Sequence, residues 1–292
     1  MAKRMRPAAG AMLIAIGAFF ALPMASGQAD QPRERGAYLV TTIAGCGNCH
    51  SPRDAAGHVE AGQELSGGVE FDLPLGHIVA PNITPDRETG IGNWTAAQII
   101  TALREGKRPD GSTIGPPMPF GFYRQISDSD ATAIAAYLQS VPAVRHAVAK
   151  SQYKVPLPPN YGPAVEHVDD PPRDNDMAYG RYLAGPIGHC MECHTPFAEP
   201  GRLDRDRLGA GGRDFPVFDQ PGVRAVSRNI TPDPENGIGK WSDADIKRAI
   251  TEGVRPDGTK LAHTMAFDWY ARMTPDDLDD IVAYLRSLEP VK

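Results

Sequence analysis

Four cysteines occur in this 292-residue chain, and all four lie in two pentapeptides closed by histidine: Cys46-Gly47-Asn48-Cys49-His50 and Cys190-Met191-Glu192-Cys193-His194. Thiols three positions apart share one side of a helical turn. That is the spacing that two thioether bonds to the vinyl groups of one haem require, and the adjoining histidine then reaches the iron. Two covalently bound c-type haems are therefore the expected cofactors, attached through Cys46 and Cys49 and through Cys190 and Cys193, with His50 and His194 as proximal iron ligands. A zinc ribbon would place its second pair within about 15 to 20 residues, whereas these pairs start 144 residues apart. A thioredoxin-like pair needs a βαβ setting, and no strand-rich stretch follows either motif.

The second axial position separates carriers from catalysts, because methionine there raises the potential and an open site binds small molecules. Met118, in Gly115-Pro116-Pro117-Met118-Pro119, is the only methionine of the first half after the leader described below, and its prolines would hold the sulfur at the iron. Met265 stands 147 residues later and is the second expected ligand. Its loop lacks the flanking prolines, and His263 two residues away keeps a bis-histidine second haem open as an alternative. His58, His77, His146, His167 and His189 have no counterpart in the other half and are assigned no role.

These groups sit in two copies of one unit. Asn82-Ile83-Thr84-Pro85-Asp86 returns as Asn229-Ile230-Thr231-Pro232-Asp233, followed in both by Gly-Ile-Gly-x-Trp, and Arg108-Pro109-Asp110-Gly111 returns as Arg255-Pro256-Asp257-Gly258. The offset is 144 up to Gly67-Gly68 and 147 from Asn82 onward, so the second copy holds three extra residues between Gly212 and Asn229. Trp94 and Trp241, Arg108 and Arg255, and Asn82 and Asn229 supply the N–H donors that buried haem propionates or the loops around them need. Short helices are expected in each copy. One leads into the motif past Gly36 or Gly180, and a middle one runs from a capping box at Thr95 or Ser242 to Gly106 or Gly253. The last is capped at Ser127 or Thr274 and carries apolar residues at i, i+3, i+4 and i+7 from Ile134 and Ile281. The small glycine of the first helix should let the last cross it closely.

Lys3, Arg4 and Arg6 precede an apolar run from Ala8 to Leu22, and Ala25-Ser26-Gly27 offers a cleavage site, so residues 1–27 read as a secretory signal cleaved near Gly27 and the chain as periplasmic. Removing them takes the net charge from −6 to −9, which argues against nucleic acid. The expected divisions are a haem domain at 28–145, a proline-rich spacer at 146–172 strapped over both domains, and a second haem domain at 173–292.

The chain resembles the class I cytochrome c family, and its repeated Asn-Ile-Thr-Pro-Asp, Gly-Ile-Gly-x-Trp, Arg-Pro-Asp-Gly and Met pattern is similar to the cytochrome c subunits of bacterial membrane-associated dehydrogenases for alcohols, gluconate and aldehydes. The resemblance spans nearly all of the chain after the leader, once per copy. It implies an all-α fold with two His/Met haems. It also implies a partner dehydrogenase subunit as electron donor, and a downstream acceptor such as the quinone pool, a cytochrome or an oxidase, with room for peripheral association with the membrane. An electron-transfer protein without substrate chemistry is the expectation. The alternative is a dihaem enzyme of the peroxidase or thiosulfate dehydrogenase type with one reactive haem.

Overall fold

The computed structural model describes residues 27–54, 57–217, 220 and 222–292. The expected leader, apart from Gly27, lies outside them.

Each repeat is built on two crossing helices. In the first, α1 (Gly27–Thr41) buries Leu39 and Val40 against α5 (Asp128–Leu138). A Cβ on Gly36 would stand 1.9 Å from the carbonyl oxygen of Ala133, so only glycine permits this approach. In the second, α6 (Asp176–Tyr182) crosses α10 (Pro275–Ser287) at Gly180, whose Cβ would lie 1.8 Å from the Asp280 oxygen. A π-helical stretch, Leu183–Ile187, then carries the chain past Pro186 towards the second motif.

The motifs form the short helices α2 (Cys46–His50) and α7 (Cys190–Cys193). The middle helices α3 (Ala96–Glu105) and α8 (Asp243–Glu252) start in complete capping boxes, Thr95 with Gln98 and Ser242 with Asp245. They end at left-handed Gly106 and Gly253. Single turns α4 (Phe120–Tyr123) and α9 (Phe267–Tyr270) follow the two methionine loops. Among the described residues no helix is long and apolar enough to cross a membrane.

The fold is not all-α, which corrects the sequence expectation: 34% of it is helical, and the described residues hold three small antiparallel sheets. β1 (Glu70–Leu73), β2 (Gly76–Val79) and β3 (Gln152–Tyr153) make one. β4 (Phe197–Glu199) pairs with β5 (Arg202–Leu203), and β6 (Asp214–Pro216) with β7 (Arg224–Val226). Among the described residues no strand exceeds four residues. Such strands are too short to show a period of two, and they lie in glycine- and proline-rich stretches that composition reads as loop.

The spacer lies on the first unit. β3 belongs to it, and Tyr161 stacks on Phe120 with ring centroids 4.8 Å apart. The Val165 N–H donates to Glu105, and Asp128 donates its N–H to the Val168 carbonyl.

The two units share one apolar core, from Leu39, Ile43 and Ile134 through to Leu183, Ile187 and Ile281. Their polar seam repeats itself by a local two-fold. The Tyr182 hydroxyl accepts the Ser127 N–H at 3.1 Å and donates to the Asp130 carboxylate at 2.9 Å. Tyr38, its equivalent, accepts the Thr274 N–H at 3.1 Å and donates to Asp277. Arg35 breaks the symmetry, donating to Asp130 at 2.8 and 3.0 Å and to the Tyr179 hydroxyl at 2.9 Å. Burial opposes the charge of Arg35, but the bonds and field of Asp130 prevail and raise its pKa.

Candidate haem-attachment sites

Both motif helices begin from a left-handed residue, Gly45 at φ 54° and His189 at φ 39°. The turn that follows holds the proximal imidazoles alike. His50 Nδ1 donates to the Pro81 carbonyl at 2.8 Å, and His194 Nδ1 to the Arg228 carbonyl at 2.7 Å. Pro81 and Arg228 are equivalent positions of the repeat. Such a bond fixes the tautomer and leaves Nε2 as the ligand atom. Burial lowers both imidazole pKa values, outweighing the opposing effect of these bonds, so the rings are held neutral as metal ligation requires.

All four cysteines are free thiols, not disulfides. Burial pushes Cys46 and Cys193 up to about 12 and Cys49 and Cys190 up to about 11. Paired, half-buried thiols on one turn beside an anchored imidazole suit a covalently held haem. His189, Glu192 and Cys193 bring potential ligand atoms within 4.8 Å of one another, but Cys193 is one of the attachment thiols.

The two motifs are interleaved. Trp269 of α9 covers the first, where a Cβ on Gly47 would meet its indole nitrogen at 2.9 Å, and Arg53 lies over its ring at 5.2 Å. Tyr123 of α4 reaches the second, edge-on to His189 with centroids 5.8 Å apart. Cys49 lies within electrostatic reach of Glu192 and Cys193. Burial raises Glu192 to about 7 despite Arg213, and lowers His189 to about 4. Tyr123 and Tyr270 are equivalent in the repeat; Tyr123 feels Cys46, Cys49 and Glu192, and Tyr270 feels Cys190, Cys193 and Cys49. The sequence reading gave no role to these tyrosines, to Trp269 or to His189; their signal was the 147-residue offset joining Tyr123 to Tyr270.

Met118 and Met265 are half-buried at matching points, each accepting at its carbonyl the N–H two residues on, at 3.0 Å from Phe120 and from Phe267. The His263 ring stacks on Phe267 and its Nε2 is 3.7 Å from Asp268. Asn82 is buried and gives its amide to Thr89 and to the Val144 carbonyl, while its oxygen accepts from Thr84. Asn229 likewise ties Thr231 to the Val291 carbonyl. These asparagines pin the tail of the last helix to the turn beside the motif. Arg108 closes its own loop on Thr113. Trp94 and Trp241 pack half-buried against the core, and the Arg255 carbonyl accepts from Arg248.

The cytochrome c family model matches residues 34–142 and 184–289. The cytochrome c subunit of a quinone-dependent alcohol dehydrogenase from Gluconacetobacter polyoxogenes is 34% identical, covering 88% of this chain and 56% of its own length. The cytochrome subunit of a fructose dehydrogenase from Gluconobacter japonicus is 33% identical, over 87% of this chain and 52% of that protein. A "Diheme cytochrome c-type" protein of Cereibacter sphaeroides is 32% identical, over 85% and 83%. The chain thus spans a little over half the length of the two dehydrogenase subunits. With a thioether-ready turn and an anchored imidazole in each matched region, the chain belongs to the cytochrome c family.

Proposed function

We propose that the chain is a periplasmic two-haem electron carrier that takes electrons from a dehydrogenase subunit and passes them to the quinone pool, a cytochrome or an oxidase. Its haem units would be residues 28–145 and 173–292, joined by 146–172. The observation that carries this reading is the duplicated turn, with each histidine anchored through Nδ1 and each motif covered by a helix of the other unit. Both dehydrogenase relatives are cytochrome subunits, and the family holds its haem covalently, which supports a carrier over a catalyst.

A haem at each site would supply a one-electron couple whose potential a methionine ligand raises. Cys46, Cys49, Cys190 and Cys193 would hold the two groups, with His50 and Met118 on one iron and His194 and Met265 on the other. Engagement of His263 by Phe267 and Asp268 favours Met265 as the second distal ligand. Pro81 and Arg228 keep the imidazoles oriented, while Trp269 and Tyr123 shield the turns from water.

The test is the spectrum of the oxidised holoprotein. Both haems should show the far-red methionine-to-iron band, and Met118→Ala and Met265→Ala should each remove one share of it. Stoichiometric carbon monoxide binding by the reduced wild-type protein would contradict closed sites.

A further inference from the structure

We propose that the spacer makes the two distal ligands unequal: Tyr153 and Tyr161 strap the Met118 loop shut, so that a small neutral nitrogen donor such as imidazole displaces Met265 from the second oxidised haem well before it displaces Met118 from the first. This rests on the His/Met reading above and adds to it which iron yields and to what class of ligand.

The ends of the two methionine loops are held alike. Ile114 donates its N–H to the Gly106 carbonyl and Leu261 to the Gly253 carbonyl, each at 2.7 Å, and on the other side Phe120 and Phe267 close on the methionine carbonyls. Any difference in how readily the sulfur swings away therefore lies between these anchors, or in what presses on the loop from outside.

In the first unit the spacer presses on it. Gln152 and Tyr153 pair with His77 and Gly76, and Lys154 donates its N–H to the Leu75 carbonyl at 2.8 Å. The Ser151 hydroxyl accepts the Val79 N–H at 3.0 Å. Fixed to the sheet in this way, Tyr153 donates its hydroxyl to the Pro116 carbonyl at 2.9 Å, and its ring stands 2.4 Å from where a Cβ on the buried Gly115 would lie. Tyr161 stacks on Phe120, and Arg124 holds the Pro163 carbonyl just beyond it. Opening the Met118 loop has to part these contacts.

In the second unit β3 has no counterpart among the described residues, where β6 and β7 form a sheet of two strands. The Thr264 hydroxyl donates to the Pro216 carbonyl at 3.1 Å, which answers the Tyr153 bond one for one. The other differences favour the first loop. Half-buried Ala262 stands where Gly115 is covered. The ring stacked on Phe267 is that of His263, which belongs to the loop and moves with it, whereas Tyr161 is fixed from outside. Pro116, Pro117 and Pro119 stand where the second loop has His263, Thr264 and Ala266. A proline-rich segment gains less conformational freedom on release, and the single Gly115 does not reverse the balance set by three prolines.

The exchange is a change of ligand alone. A nitrogen lone pair of neutral imidazole takes the place of the sulfur lone pair of Met265, the iron stays ferric, and no electron or proton is released.

The probe is imidazole, added at a fixed, mildly alkaline pH to the oxidised holoprotein and read as loss of the far-red methionine-to-iron band. The band should fall in two equal steps whose midpoints differ by about tenfold or more in imidazole concentration, as the prolines and the spacer contacts together require. Met118→Ala should keep only the low-concentration step and Met265→Ala only the high one. Tyr153→Phe, which keeps the ring and deletes the bond to Pro116, should move the high step down by about two- to tenfold. Tyr153→Ala should move it further, and neither variant should move the low step; if the alanine variant misfolds, the phenylalanine variant decides. A single step in the wild type, the reverse order in the methionine variants, or a Tyr153→Phe that shifts both steps equally or neither overturns the proposal. A wild-type protein that lacks the band from one haem refutes the His/Met reading and the proposal with it, whereas a full band lost in one step refutes the proposal alone.

Discussion

Asp130→Ala should cost clearly more stability than Asp277→Ala, although the two aspartates are equivalent and both buried at the seam. Asp130 is 3% exposed and accepts two N–H bonds from Arg35 and one from Tyr182. Removing it strands a guanidinium whose side chain is 22% exposed. Breaking a buried pair by deleting one partner costs about 3–5 kcal/mol, and the residual exposure of Arg35 places this case at about 3–4 kcal/mol. Asp277, 8% exposed, accepts from Tyr38 and has no arginine opposite, because Tyr179 stands where the repeat would place one. Loss of that charge-assisted bond is worth about 1.5–3 kcal/mol. The expected gap is about 1 kcal/mol or slightly more, measurable by equilibrium urea unfolding of the holoprotein followed by far-UV circular dichroism and the Soret band. Adding Arg35→Met to Asp130→Ala should recover part of the loss, since no charge then stays buried and unpaired. Equal costs for the two single variants, or a greater cost at Asp277, would refute the reasoning.

Gly180→Ala drives a methyl group into the Asp280 carbonyl and should destabilise the second unit by about 3 kcal/mol, the upper range for overpacking, read as a lower urea midpoint. Tyr153→Phe deletes the bond to Pro116 and should cost about 0.5–1.5 kcal/mol, with the far-red band of the first haem lost at lower urea than in the wild type. His167 has its pKa raised by hydrogen bonds to Asp169 and then Asp128. Its contribution to docking the spacer is therefore fully present below the ordinary value of 6.5 and fades as pH climbs through the raised folded value. The protection factor of the Asp128 amide, whose N–H is held by the Val168 carbonyl, should fall across that window once the intrinsic base catalysis of exchange is divided out, and His167→Gln should leave that factor independent of pH there.

The helices that carry the site could be read from the chain because their signals are local. Thr95 with Gln98, Gly106, Gly253 and Thr274 with Pro275 act as caps where the sequence places them. Val141 falls outside α5, which stops at Leu138, so the last apolar position of that stripe belongs to the following turn. The sheets escaped notice because their strands are only two to four residues long, and because one pairing, Gly76 with Tyr153, joins positions far apart in the chain. His189 was set aside as a lone polar histidine, yet it occupies the left-handed position that Gly45 fills in the other copy. Alignment of the copies marks that position as conformationally special, but histidine does not announce it as glycine does. The seam was hidden for a different reason: Tyr38 and Tyr182 coincide in the repeat, but nothing in one copy shows that its tyrosine bonds the other's aspartate.

That crossed bonding suggests how the chain arose. If a single ancestral unit had first paired with its own twin, each tyrosine would already have met the other subunit's carboxylate, and fusing two genes would have needed only a tether. The later arrival of Arg35 on one side and tyrosine on the other would then have made the halves distinguishable, so that two once interchangeable redox stations could acquire a fixed order.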